Sequence, residues 1–449
     1  MTKSTATTER TLLPKASIQD SLGVISEVFL PTVSKGLIIR RPKVVAMAER
    51  LGLDRRAVRR MQRIRDKYAP GPLLIHFPGQ PRALILSPDH VHRVLDESPE
   101  PFATASSLKR EALVHFEPKM ALVSHGYKRA ERRRFNEEVL DTGQAMHRLA
   151  ETFLSIVSEE AEQLLAKTRH GEELTWDLFA ATWFPMVRRI VLGDAARDDE
   201  ELRELLDSLR SNANWAFLHP KQKELRERFH DRLQAHLARA EPGSLAGVMA
   251  ATHTTEVTAP NHQAAQWLFA FDPAGINTFR TLALLASHPE HADRAREEIR
   301  GRNGTAQQEL PYLRSCLLEG LRLWPTTPMV LRESTRETTW ESGIMPAETS
   351  ILIFAPLFHR DDQHLPYADR FEPEIWLENR TAEDWPLIPF SGGPGMCPGR
   401  NLVLLVGSAM LAELLAGRQV RLKPPTRLDP NQPLPATLNN YSLRFEVDG

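Results

Sequence analysis

Cysteine is nearly absent from this chain of 449 residues: it has two, Cys316 and Cys397, 81 positions apart, and no CxxC pair. That excludes a disulfide scaffold, a zinc ribbon and a CxxCH attachment site, and it fits a reducing compartment. An excess of either charge is lacking as well. The 57 Lys and Arg against 58 Asp and Glu leave a formal net charge of -1, so no global field draws the chain to nucleic acid or to an anionic membrane. No run reaches 18 uncharged apolar residues, and MTKSTATTERTLLPKASIQD lacks the apolar core of a secretory leader. A soluble, cytoplasmic protein without a membrane anchor is expected. With 41% hydrophobic residues the chain has ample material for a large core, and by length alone it would divide into two or three domains.

Residues 1–40, with Pro14 and Pro31, read as a poorly regular lead segment. Pro42 to Tyr68 is helical with a basic face, followed by LLIHF, the turn PGQP and RALILS, a β-hairpin. The basic face reads as solvated charge rather than a nucleic-acid surface, because no aromatic residues are interleaved with it. Helical patterns dominate from Met146 to Met249, broken at Gly171, at Gly193, at WAFLHP before Lys221 and at Pro242-Gly243. The two helical stretches flanking WAFLHP should form an antiparallel pair. The fold class is mainly α with a minor β part.

One stretch stands out against this background. FSGGPGMCPGR, Phe390 to Arg400, sets Cys397 among four glycines and directly before an apolar helical run. A lone intracellular cysteine is often a small buried hydrophobe. Here the glycines let the backbone wrap the sulfur with N-H groups inward, and a helix N-terminus lowers a thiol's pKa, so a thiolate able to bind iron is expected. The spacing of Phe390, Gly393, Cys397 and Gly399 resembles the haem-binding loop of the cytochrome P-450 family.

Other residues extend the resemblance from about residue 70 to the end. Glu319 and Arg322 form an ExxR pair 78 residues before Cys397, and Arg370 lies between, matching in order the family's structural glutamate, arginine and meander arginine. An exposed ExxR alone decides nothing, being worth under about 1 kcal/mol. Arg129 and Arg133, one helical turn apart, match the family's propionate-binding positions, and Arg332 matches a third. His359, Arg360 and Asp361 match a structural loop. Gly395 stands where the family commonly has a further basic residue, so a propionate charge must be met elsewhere. Cys316 reads as plain core.

An apolar helix from about Ala264 to Ser287 corresponds to the family's long central helix. Counted back from His288-Pro289, Asp272 and Pro273 fall where the family has an acid and a threonine that deliver protons during oxygen activation. The acid is present and the threonine is not; Pro273 should open a groove, with Asn277 a turn further on holding a water. A second register pairs AGINT, Ala274 to Thr278, with the same family motif. A kinked core helix with no proton role is the bland alternative.

The resemblance implies a single catalytic domain over 41–449, a triangular prism with non-covalent haem b between the central and cysteine-loop helices and Cys397 as axial ligand. It implies a monooxygenase acting on a largely apolar small molecule, fed by a separate ferredoxin or flavodoxin with its reductase, which Arg129 to Arg134 would dock. The missing threonine leaves a peroxide-using enzyme open, and a haem sensor without turnover is a third reading.

Overall fold

The computed structural model describes residues 11–448 except 37, 115, 170, 215–221, 302–308, 382 and 427. Among these residues helices dominate, with a five-stranded sheet, a three-stranded sheet and one two-stranded ribbon. Their apolar faces form two cores, a large one between the helices and a smaller one beneath the five-stranded sheet. No helix among the described residues is long and apolar enough to cross a membrane.

The hairpin expected after the basic helix is present: Leu73–Ile75 pairs antiparallel with Arg82–Leu84. Arg82–Leu84 then runs parallel to Ser350–Phe354, which pairs antiparallel with Met329–Ser334. Ser350–Phe354 is buried along its whole length, as a central strand with both faces covered must be. Phe102–Ala103 closes the sheet against Met329–Ser334. This sheet therefore brings Thr104, Arg332 and the cysteine loop's neighbours into one region.

The lead segment corrects the expectation of irregular chain. Ile18–Val24 and Leu30–Ser34 are α-helical, joined through a π-helical turn at Ile25–Phe29. Pro31 sits in the first turn after that wider turn, where its missing N-H and its ring cost least. Val24 and Val28 are fully buried in the core beneath the sheet.

The basic helix is two helices, Pro42–Leu51 and Leu53–Tyr68, broken by Gly52 at φ 60°. Much of its charge is solvated, as expected: Arg55, Arg56, Arg59, Arg63 and Lys67 are exposed. Part of it is also paired: Arg65 meets Asp361 at 2.6 Å, Arg59 meets Asp362 at 2.6 Å, Lys67 meets Asp20 at 2.7 Å and Arg60 pairs with Glu27. These pairs tie the lead segment and the His359–Asp361 loop to the helix.

Three helices frame the cysteine loop. Arg400–Leu415 follows it, and twelve of its residues from Leu402 to Leu415 are buried. Pro311–Leu323 carries the ExxR pair. Pro260–Ser287, the central helix, packs against both and continues unbroken through Pro273. The expected helix pair is Glu200–Ala213 and Lys223–Leu237, which pack together. The WAFLHP segment lies outside the described residues.

Candidate functional site

The cysteine loop is held by short-range backbone bonds: Cys397 N-H donates to Phe390 O at 3.0 Å and Met396 N-H to Gly393 O at 3.0 Å. Gly393 has φ +55°, and a Cβ there would sit 2.2 Å from the Leu95 carbonyl oxygen, so only glycine fits. Phe390 is half-buried against the helical core. Gly399 contributes an N-H that favours the Cys397 thiolate, as do the charges of Arg133 and Arg400, but burial outweighs them and pushes the thiol up. That corrects the expectation of a thiol lowered by the loop alone. Ionisation of Cys397 therefore needs a cation bound at the sulfur.

Facing the loop are the basic side chains of Arg332, Arg129 and Arg133, the last of which also pairs with Glu137 at 2.6 Å. Arg332 Nη2 donates to Ser391 Oγ at 3.0 Å and its Nε to Ser98 Oγ at 2.9 Å. Burial, then Arg129, lowers its pKa to about 10. Arg129 Nε donates to Thr104 Oγ1 at 3.1 Å and its Nη2 to Pro394 O at 3.3 Å. Arg133 Nη1 reaches Met396 O at 2.5 Å.

Lys109 completes this group and was not singled out in the sequence. Its Nζ donates to Thr104 O at 2.7 Å and Leu331 O at 3.3 Å. Burial first, then Arg332 and Arg129, lowers it to about 7. The nearby Glu333 turns to Arg110, Ser107 and Gln80 instead. Gly395 has a steric reason: a Cβ there would lie 2.6 Å from Arg332 Nη2. The glycine admits Arg332, and Lys109 supplies the basic group that position 395 lacks.

Buried cations without a counter-ion are costly. Lys109, Arg129 and Arg332 lie beside the half-buried Cys397, and an anionic group could neutralise their charge.

The other arginines of Gly126–Val139 are engaged internally. Arg132 donates to Val257 O and Ser124 Oγ, Arg133 also pairs with Glu137 and Arg134 pairs with Glu131 and Glu138. The surface near Arg129 to Arg134 is therefore not the free basic patch expected for an acidic partner.

Glu319 and Arg322 are both fully buried. Arg322 donates to both Glu319 oxygens, at 2.7 and 2.6 Å, and to the carbonyls of His359, Ala368, Tyr367 and Arg370. Arg370 needs correction: its side chain is exposed and only its carbonyl joins the network. Trp376 takes the third place, its Nε1 donating to Glu319 Oε2 at 2.9 Å while Glu372 N-H donates to Oε1 at 2.9 Å. An indole at the right distance has no charge signature, which is why an arginine search passes over it. His359 is structural: Nε2 accepts from Ile388 N-H at 2.8 Å, and burial lowers its pKa to about 3.

On the central helix the three expected residues do not form one cluster. Asp272 pairs with Arg210 of the helix Glu200–Ala213. Asn277 is buried and its Nδ2 donates to Leu317 O at 2.9 Å, tying the central helix to the ExxR helix rather than to Asp272. The AGINT string serves packing. A Cβ on Gly275 would lie 2.8 Å from Trp183 Nε1, which donates to Phe271 O at 2.9 Å. Thr278 Oγ1 donates to Ala274 O at 2.9 Å and packs beside Gly407.

Residues 275–445 match the family model described as cytochrome P450. A 35% identity over 149 residues links 31% of this chain to 32% of the cyclooctat-9-en-7-ol 5-monooxygenase of Streptomyces melanosporofaciens. Cytochrome P450 4c3 of Drosophila melanogaster is 31% identical over 146 residues, 30% of this chain and 27% of that protein. The matches thus span about a third of these relatives' own length. A retinoic acid-bound cyanobacterial protein, CYP120A1, superposes with a TM-score of 0.70 at 17% identity, over 86% of this chain and 93% of its own. The matched residues hold the ExxR pair and the cysteine loop: residues 275–445 match the cytochrome P450 family, and the chain shares the fold of a cytochrome P450 over 86% of its length.

Proposed function

We propose that the chain is a haem-thiolate monooxygenase that oxidises a largely apolar small molecule, using dioxygen and electrons from a separate ferredoxin or flavodoxin. The single observation that carries this reading is the half-buried Cys397 beside Lys109, Arg129 and Arg332, which have no carboxylate partner among the described residues. Haem held there through Cys397 would supply oxidative chemistry capable of attacking an unactivated C-H bond.

The chain's own residues set the conditions for it. Cys397 donates its sulfur, with the Gly399 N-H and the charges of Arg133 and Arg400 favouring the thiolate. Lys109, Arg129 and Arg332 would neutralise the propionates of such a group, with Arg133 donating to Met396 O of the same loop. An apolar substrate agrees with the aromatic side chains packed at the start of the central helix. Phe116 lies 5.7 Å from Phe269 of the central helix and 6.3 Å from Phe229 of the helix Lys223–Leu237, ring centre to ring centre. Such surroundings exclude water and favour a hydrocarbon-rich ligand.

Asp272 is the acid in register for proton movement, through Oδ1, since Oδ2 accepts from Arg210. Pro273 offers no hydroxyl, so Asp272 and ordered water would act without one. Residues 41–449 would form one catalytic domain with the lead segment packed onto it.

Carbon monoxide bound to the reduced protein tests the ligand. A red-shifted Soret band is expected for wild type, and none for Cys397→Ser; survival of the band in that variant removes Cys397 as ligand. The oxidant is tested by product formed with a ferredoxin system against product formed with hydrogen peroxide alone. Peroxide ahead by tenfold or more would replace the dioxygen reading by a peroxide-using one, a reading that Pro273 in place of the hydroxyl favours. An unchanged rate in Asp272→Asn under both conditions would remove Asp272 from the chemistry.

A further inference from the structure

Away from the cysteine loop, three side chains from distant parts of the sequence converge. Glu117 follows the short helix Ser107–Leu113, His230 lies on the helix Lys223–Leu237, and His262 lies in the first turn of the central helix. One ligand atom from each lies within 4.8 Å of the others. Glu117 is fully buried, and the two histidines are 16% and 12% exposed.

The contacts among them are not those of a settled hydrogen-bond network. His230 Nε2 lies 3.1 Å from Glu117 Oε1, yet neither atom makes a hydrogen bond, and His230 Nδ1 is also without a partner among the described residues. His262 Nδ1 meets the other oxygen, Oε2. The imidazole rings sit 4.5 Å apart between centres, tilted by 56°. Orphaned buried polar atoms of this kind require an occupant or a reason. Two imidazoles and one carboxylate are a donor set suited to a divalent first-row metal of the zinc type. A tetrahedral ion about 2.0–2.2 Å from each ligand places the ligand atoms about 3.3 Å apart, a spacing that falls within the 4.8 Å bounding this cluster.

We propose that Glu117, His230 and His262 bind one divalent zinc-type ion, with water completing its coordination, and that this ion staples the lid helix Lys223–Leu237 to the central helix and to the loop after Leu113. The carboxylate and two neutral imidazoles leave the site with a single positive charge, which the buried Glu117 alone does not. The site is independent of the haem reading, since none of its residues belongs to the cysteine loop or the cation group. Because such an ion binds the folded arrangement and bridges three elements, it raises the unfolding midpoint as free metal rises.

The full-length haem-loaded protein is stripped with a chelator, desalted and equilibrated with zinc chloride at micromolar free metal. Zinc per chain is measured by elemental analysis and the unfolding midpoint by circular dichroism. About one zinc per chain and a midpoint rising with zinc are expected for wild type. The double variant His230→Gln, His262→Gln should lose both while keeping the wild-type far-ultraviolet spectrum. Less than about a tenth of a zinc per wild-type chain overturns the proposal without reference to any variant. Equal zinc in the double variant overturns the ligand assignment, and zinc retained without a midpoint shift overturns the stapling role.

Discussion

Two groups of buried charge in this protein are built on opposite plans. Glu319 and Arg322 balance each other, and every remaining donor of Arg322 ends on a backbone carbonyl while Glu319 also accepts from Trp376 and Glu372. Lys109, Arg129 and Arg332 have donors satisfied by carbonyls and hydroxyls but no negative charge among them. The first group is complete in the protein alone, so its work is to hold the fold. The second is complete only with an anionic ligand. Buried charge by itself does not mark a binding site; buried charge without its counter-charge does.

The comparison breaks if the two groups respond alike to losing one member. The largest effect is expected for Glu319→Ala, which strands Arg322 in the interior and should lower stability by about 3–5 kcal/mol, with little folded protein recovered. Denaturant midpoints measure it, and a near-wild-type midpoint would reduce the pair to a decoration. A smaller and different effect is expected for Lys109→Met. One charge-assisted bond to a propionate is worth about 1.5–3 kcal/mol, so haem should dissociate at least about tenfold more readily while the protein still folds. Haem transfer to an acceptor protein gives the first number. A stability loss as large as that of Glu319→Ala would place Lys109 in the framework instead.

The smallest effect is a pH dependence in the haem-free protein. Lys109 is lowered to about 7 in the folded chain, whereas an unfolded lysine titrates near about 10.4. Between those values the unfolded state binds the extra proton, so this group makes stability rise with pH across that window; the contribution is fully lost once pH has fallen to about 7 and is flat below it. Comparing wild type with Lys109→Met isolates the contribution, since other titrating groups are common to both. A difference that stays flat from pH 7 to 10 would mean that Lys109 is not buried as a charge.

How much of this was legible before the structure depended on the kind of signal. The cysteine loop was readable because its glycines answer backbone requirements, such as the positive φ of Gly393, that few other residues meet. The ExxR pair and the hairpin were readable because their partners are near in sequence. Arg370 misled, since an arginine in the expected order offered only its carbonyl. Asp272 was located correctly on its helix, but its partner Arg210 lies 62 residues away, and nothing local predicts it.

By itself the sequence determined the helices and short strands, the loop around Cys397 and the position of Pro273 within a buried helix, all set by periodicity, backbone freedom and spacing along the chain. Only the tertiary structure decided that Lys109 takes up the charge Gly395 forgoes, that Trp376 completes the Glu319 network and that Glu117, His230 and His262 meet. The physical reason is that these groups act through charge and distance across the interior, where contacts are fixed by how helices pack and not by their order along the chain.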